Sequence, residues 1–211
     1  MYLTRIALNI EKKKTMRALS SPNLFHGAID SSFSGERPKV LWRIDKLGEQ
    51  YYILILSHET TDFTSFIEQF GHKGDKAETR AYDKLLDRVK CGSKWIFRLN
   101  ANPTYREYSK DGDKRGKRKA CGTVQEQQNW LMNNCEKYGF KLTDSSFKVV
   151  GDKWYTFSKN GESSTVTIRA VTYEGVLEVE NETLFTEALC GGIGREKAYG
   201  LGLLTLVKYN G

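Results

Sequence analysis

The sequence predicts an α+β fold made of two tandem ferredoxin-like, RRM-like units, each ordered β-α-β-β-α-β. Three observations carry that prediction. Apolar residues switch between period-2 runs and helical spacing twice along the chain, in the same order each time. Each half then reads as four strands and two helices, the split-βαβ pattern. The 211 residues also fit two domains of ordinary size, divided at the Cys91-Gly92 turn into 1–90 and 91–211.

In the first unit, Tyr2 to Asn9, Val40 to Ile44 and Tyr51 to Leu56 read as strands. Between the first two, Ser21-Pro22 opens a short helix, with Ser21 as N-cap, Pro22 at the first helical position and His26 within the first two turns. Phe63, Phe66, Ile67 and Phe70 give Asp62 to Phe70 an apolar helical face, ended by Gly71. The stretch from Glu78 to Val89 is ambiguous and is read as a strand near Arg80 to Leu85.

In the second unit, Trp95 to Leu99 is a strand that runs through Ala101-Asn102-Pro103 into a charged excursion. Thr123 and Glu126 form a capping box for a helix reaching about Tyr138, where Gly139 stops it. Phe147 to Phe157 and Ser164 to Val171 read as a hairpin joined by Ser158 to Glu162; Tyr173 to Val179 continues its second strand after a bulge at Gly175. Asn181 to Leu189 is helical, and Leu201 to Val207 is the closing strand.

Composition narrows the function classes. Apolar residues make up 39% and aromatics 12%, enough for a core, and the formal net charge of +7 favours a polyanionic partner. No run approaches the roughly 18 apolar residues of a membrane span. The N-terminus lacks the apolar core of a signal peptide, so a cytoplasmic, membrane-free protein is expected. Cys91, Cys121, Cys135 and Cys190 form no C-x-x-C pair, and His26, His58 and His72 do not stand at zinc-ligand spacing from them. No metal or other cofactor is expected.

Three features could carry chemistry. From Gly192 to Gly202 there are four glycines (Gly192, Gly194, Gly200, Gly202) around Arg195 and Lys197. Glycines let backbone approach a ligand and free N–H groups for anions. The spacing is neither a Walker A loop nor a dinucleotide fingerprint, because the run follows a helix and enters a strand; the plain alternative is a flexible connection with a helix C-cap at Gly191 or Gly192. The excursion carries Arg106, Lys110, Lys114, Arg115, Lys117, Arg118 and Lys119 against three acidic residues, a local charge of +4. With Tyr105 and Tyr108 beside it, it suits an RNA backbone and unstacked bases, though charged loops are often merely solvated. Finally, His26 has the side chain whose ordinary pKa of about 6.5 suits proton transfer near neutrality; a lone histidine is more often structural, and no Ser-Asp constellation accompanies it.

Taken together, the Met1 to Thr4 strand, Ser21-Pro22-Asn23-Leu24-Phe25-His26, Leu41-Trp42-Arg43, Phe97-Arg98-Leu99-Asn100-Ala101-Asn102-Pro103, Tyr173-Glu174-Gly175-Val176-Leu177 and the glycine loop entering Gly202-Leu203-Leu204 are a familiar series. In that order, and over essentially the whole chain, the sequence resembles the CRISPR repeat-RNA endoribonucleases of the type I-E system, the CasE (Cse3) family of the repeat-associated mysterious protein superfamily. The resemblance implies a metal-independent endonuclease that cuts the repeat stem-loop of the CRISPR precursor RNA by 2′-OH attack, leaving a 2′,3′-cyclic phosphate and a 5′-OH. It also implies retention of the product with the other Cascade subunits, by a protein monomeric on its own.

The resemblance assigns the catalytic histidine to His26 and matches Ser34 to a serine near the scissile phosphate. The family has a tyrosine three residues before the histidine, where this chain has Asn23, a hydrogen-bonding residue but a poor proton donor. Asn100 likewise replaces a basic residue. Lys153, Lys159 and nearby Arg169 correspond by position to the family's groove-engaging hairpin, with Lys148 as an auxiliary. Asn23 keeps a second reading open, a catalytically silent repeat-RNA-binding subunit of the same complex. A third, a small-molecule enzyme using the glycine loop for a nucleotide phosphate, is disfavoured by the missing Walker pattern.

Overall fold

Thr4, Ile6 and Leu8 alternate inward along β1 (Tyr2–Leu8), so one face of the strand is covered, and it is an inner strand because it pairs on both sides. The computed structural model describes residues 1–34, 39–107, 116–158 and 165–210. β2 (Leu41–Leu47), β3 (Gln50–Ser57) and a short β4 (Glu78–Ala81) complete an antiparallel sheet in the order β2-β3-β1-β4. Helices α2 (Asn23–Asp30) and α3 (Thr64–Phe70) cover one face of it. There Phe25, Phe66 and Phe70 cluster with Ile6, Leu8, Ile53, Ile55 and Trp42.

The second half contains β5 (Lys94–Ala101), β6 (Thr104–Glu107), β7 (Lys117–Ala120), α5 (Val124–Cys135), β8 (Phe140–Lys141), β9 (Phe147–Ser158), β10 (Thr165–Val179), α6 (Glu182–Gly191) and β11 (Leu204–Lys208). Its main sheet runs β11-β5-β10-β8, with β9 also on β10, and β6-β7 form a separate hairpin. Counting β5, β9, β10 and β11 as its four principal strands, the spatial order is the same as in the first half. The molecule is a mixed α+β structure, and its larger core joins the halves: Leu41, Leu56, Tyr82 and Val89 pack with Phe97, Leu99, Leu203 and Leu204.

Several details correct the sequence reading. A helix, α1 (Lys13–Ser20), precedes α2, between the first strand and Ser21, where no element was expected. Its inward face is short, the small Thr15 and Ala18 with Leu19 partly buried beside them, and lies next to a lysine run, so its helical period is weak in the sequence. Ser21 is the C-cap of α1 and makes no N-cap bond; Pro22, at φ −57° and ψ −23°, leads α2 instead. The expected strand at Arg80 to Leu85 is β4 followed by a one-turn helix α4 (Asp83–Leu86). The strand stops where Tyr82 N–H donates to Met1 O at 2.8 Å and Asp83 meets the N-terminal ammonium at 3.1 Å.

The bulge lies not at Gly175 but between Thr172 and Tyr173, whose partners are Gly151 and Val149, so Val150 is the extra residue. Gly175 stays in register, and its missing Cβ serves close packing: a Cβ there would lie 2.2 Å from Ser146 O. The capping box of α5 is formed as expected, Thr123 Oγ1 accepting from Glu126 N–H and Glu126 Oε2 from Thr123 N–H. Gly139 takes the left-handed conformation (φ 76°) that ends the helical stretch.

Candidate nucleic-acid interface

Burial of Phe25 and Ile29 fixes the rotation of α2 and turns His26 outward, its side chain 35% exposed. His26 Nδ1 faces Asp30 Oδ1 one turn on at 3.5 Å. That is longer than a good hydrogen bond, and it sets the Asp30 carboxylate on the Nδ1 side of the ring. Asn23 Oδ1 is buried and has no hydrogen-bond partner among the described residues. Ser34 is exposed beyond the end of α2, and among the described residues no hydrogen bond joins it to His26.

The glycine run wedges between the halves. Gly192, Gly194, Gly200 and Gly202 all have positive φ, and a 3-10 turn, Lys197–Tyr199, lies against α2 and β2. A Cβ on Gly200 would lie 2.6 Å from the Trp42 ring and one on Gly192 2.7 Å from Leu41. The close approach therefore serves the protein's own side chains. Backbone N–H groups of this run are also engaged internally: Gly192 to Ala188 O, Ile193 to Gly202 O, Gly194 to the Tyr138 hydroxyl, Gly200 to Lys197 O and Gly202 to Asn100 O. Lys197 Nζ donates to Gly191 O at 2.5 Å, and burial holds its pKa below the usual lysine value. The exposed cation of the loop is Arg195.

Lys153 reaches from β9 to Leu19 O at 3.3 Å, just before the α1–α2 junction, over the ring of Tyr155. Phe157 packs on Tyr199 of the glycine turn at 5.0 Å between centroids. Hairpin β9–β10, the glycine turn and the His26 helix thus meet along one seam. Arg169 points elsewhere: its Nε donates to Asp152 Oδ1 at 2.8 Å, its guanidinium also bonds Cys121 O and lies over Trp154, and its side chain is 11% exposed. Lys148 is exposed on β9 opposite Glu174.

Arg106 and Arg118 face each other across β6 and β7, Lys117 is exposed beside them, and Lys119 pairs with Glu107 at 2.6 Å. Partial burial, then the nearby Arg195 and Arg106 charges, hold the Arg118 guanidinium below its ordinary pKa. Lys110, Lys114, Arg115 and Lys159 lie outside the described residues. Among the described residues no three His, Cys, Asp or Glu side chains converge as a metal site, and no helix is long and apolar enough to cross a membrane.

The Arg169–Asp152 pair sets a pH dependence. Arg169, and after it Gln127, hold the Asp152 carboxyl below the usual carboxylate pKa. A depressed folded-state pKa contributes stability that is fully present above the unfolded value, about 3.9, and lost as pH falls through the folded value. Asp152→Asn should therefore destabilise the protein by about 1–3 kcal/mol at neutral pH. The difference in Tm from wild type should close as pH drops below about 3.9; a difference that persists unchanged there would show that the ion pair is not its source.

A family model described as CRISPR associated protein matches residues 1–208. The chain belongs to the CRISPR-associated Cse3/CasE endoribonuclease family. It is 28% identical to CRISPR-associated endoribonuclease Cse3 of Thermus thermophilus over 220 aligned residues, covering 98% of this chain and 99% of the relative. It is 30% identical over 125 residues to the CRISPR system Cascade subunit CasE of Escherichia coli, covering 56% and 60%. Among solved structures, Thermus thermophilus Cse3 bound to an RNA representing a pre-cleavage complex matches with a TM-score of 0.80 at 25% identity over 98% of both chains. A Cse3 bound to a 19-nt RNA matches at 0.78 and 27% identity, covering 97% of this chain and 98% of the other.

For Cse3/CasE members, the sequence reading singled out the histidine but not its surroundings. It missed Asp30 beside His26, although the i,i+4 spacing that joins them is written in the sequence. It also missed a cavity of about 660 Å³ between α5, the β6–β7 hairpin and Gly194-Arg195. That cavity is assembled from segments up to some ninety residues apart, which no local pattern announces.

Proposed function

We propose that this chain is a metal-independent endoribonuclease that cuts CRISPR precursor RNA within the repeat, at the base of its stem-loop. It then stays bound to the mature guide RNA, in the cytoplasm, as a Cascade subunit that is monomeric when alone. Its halves are two tandem ferredoxin-like units divided near residue 90, with the seam between them carrying the site. The observation that carries this reading is His26, held accessible on α2 against the glycine turn, in a chain similar end to end to Cse3 solved with pre-cleavage RNA.

The chemistry asks little of the protein's own nucleophiles. The ribose 2′-OH attacks the adjacent phosphorus, its proton leaves, the P–O5′ bond breaks, and the 5′ oxygen gains a proton. The products are a 2′,3′-cyclic phosphate and a 5′-OH. The protein aligns the 2′-oxygen with the leaving oxygen, stabilises the phosphorane charge and moves protons. His26 Nε2 is the proton-transfer atom in this reading, and Asp30 orients the ring. Asn23, with an acceptor oxygen rather than a phenol, and Ser34 act as positioning groups. Exposed Arg195, Arg106, Lys117 and Arg118, with Lys153 at the seam, supply positive charge for phosphates.

Asn23 favours one rival, a repeat-RNA-binding subunit without activity, because the position lacks a proton donor and its Oδ1 is buried without a partner among the described residues. Incubation of the purified protein with labelled repeat RNA of its own host in EDTA separates the two. A single cut at the base of the stem with a cyclic phosphate terminus is expected. Tight binding with no cut would move the protein to the silent class.

A further inference from the structure

Beyond the cleavage seam, we propose that the cavity of about 660 Å³ in the second half holds one unpaired nucleotide flanking the repeat stem-loop. This rests on the RNA-processing reading and adds a second contact to it. The volume lies in the range of roughly 300–1,000 Å³ typical of small-ligand pockets, too small for a base-paired helix.

Its chemistry is that of a nucleotide. Tyr105, 43% exposed on β6, and Trp130 on α5 offer aromatic faces. Asn133 brings an exposed amide from α5, and Asn102, 7% exposed, lines the cavity with an Oδ1 that is buried and without a hydrogen-bond partner among the described residues. An unpaired buried acceptor is costly unless a ligand N–H reaches it, and base edges carry such donors. Arg118 and Arg195 approach from the hairpin and the glycine loop. Neither is in an ion pair among the described residues, and their like charges sit close enough to oppose one another. A phosphate between them would relieve that repulsion.

Among the described residues the one carboxylate lining the cavity, Glu126, is already spent on the backbone N–H groups of Gly122 and Thr123. The glycine loop links the cavity to the seam, since Gly194 and Arg195 line one while Lys197 to Tyr199 contact the His26 helix. An RNA strand that followed this loop from the His26 helix would meet the cavity at Gly194 and Arg195.

The test measures Kd for three RNAs carrying a 2′-deoxy nucleotide at the scissile position: the bare stem-loop, the stem-loop with four unpaired nucleotides at each end, and the same RNA with those nucleotides abasic. The abasic RNA keeps the added phosphates, so the base contribution is read alone. Wild type should bind the flanked RNA at least about fivefold more tightly than the abasic one. That ratio should fall to near one in Tyr105→Ala and Asn133→Ala, both changes at exposed positions.

Equal affinity for flanked and abasic RNA in wild type overturns the proposal without recourse to any variant, as does a ratio that survives both substitutions. Failure of wild type to bind the bare stem-loop would instead overturn the RNA-processing reading itself.

Discussion

His26→Ala lowers cleavage by about 10²- to 10⁴-fold, the range that one positioned proton-transfer group contributes, while leaving RNA affinity nearly unchanged. Two features of the site set this expectation. His26 is partly exposed and its side chain makes no hydrogen bond to a core residue among the described residues, so its removal leaves Phe25 and Ile29 to hold α2 in place. In the proposed mechanism the 2′-oxygen nucleophile belongs to the RNA, so the variant is expected to retain alignment and charge stabilisation and lose only proton transfer. Single-turnover rates with saturating enzyme separate the two contributions. A rate within a few-fold of wild type would remove His26 from the chemistry. A rate loss matched by an equal loss of affinity would make it a binding residue.

Arg43→Ala is expected to destabilise the fold by about 3–5 kcal/mol, the scale on which removing one partner of a buried ion pair acts. Arg43 is 1% exposed. Its Nε and Nη2 form a fork on Asp45 at 2.8 and 2.7 Å, its Nη1 donates to Arg98 O and Leu203 O at 2.9 Å, and Nη2 also reaches Thr205 Oγ1 at 2.7 Å. One side chain on β2 therefore satisfies groups on β5 and β11, tying the first sheet to the second. Truncation strands the buried Asp45 and the Leu203 carbonyl; among the described residues Arg98 Nε lies 3.7 Å from Asp45, and Thr205 Oγ1 stays 3.4 Å from Arg98 O. Arg43→Lys should restore little, because an ammonium cannot reproduce the planar fork. Thermal or urea unfolding reads the effect. A loss below about 1 kcal/mol, the scale of exposed pairs, would show that the guanidinium is not the link between the halves.

Much of the fold was legible locally. Alternating residues such as Thr4, Ile6 and Leu8, the Thr123/Glu126 box and Gly139 act within a few residues of themselves, and their elements stand where the sequence placed them. α1 was not legible, because its inward face, Thr15, Ala18 and the partly buried Leu19, is short, made mostly of small side chains and set beside a run of lysines. β4 was misplaced because all four of its residues are exposed on an edge, where pairing rather than burial defines the strand. The bulge moved from Gly175 to Val150 because a glycine in a strand signals close backbone approach as well as a bulge, and here the approach of Ser146 was the cause.

The sequence by itself determined most of the principal strands and helices, the place of His26 early in a helix, the basic character of the Arg106 to Lys119 stretch and the departure at Asn23, since residue type and short-range spacing suffice for each. Tertiary structure alone decided what those residues face. Asp152 claims the Arg169 fork, Trp42 and Leu41 claim the space beside the glycines, and Asn102, Tyr105, Trp130 and Arg195 become neighbours around one cavity. The physical reason is that hydrogen bonds and ion pairs reach only a few ångströms, so a side chain's role depends on which distant segment the packed core brings within that reach.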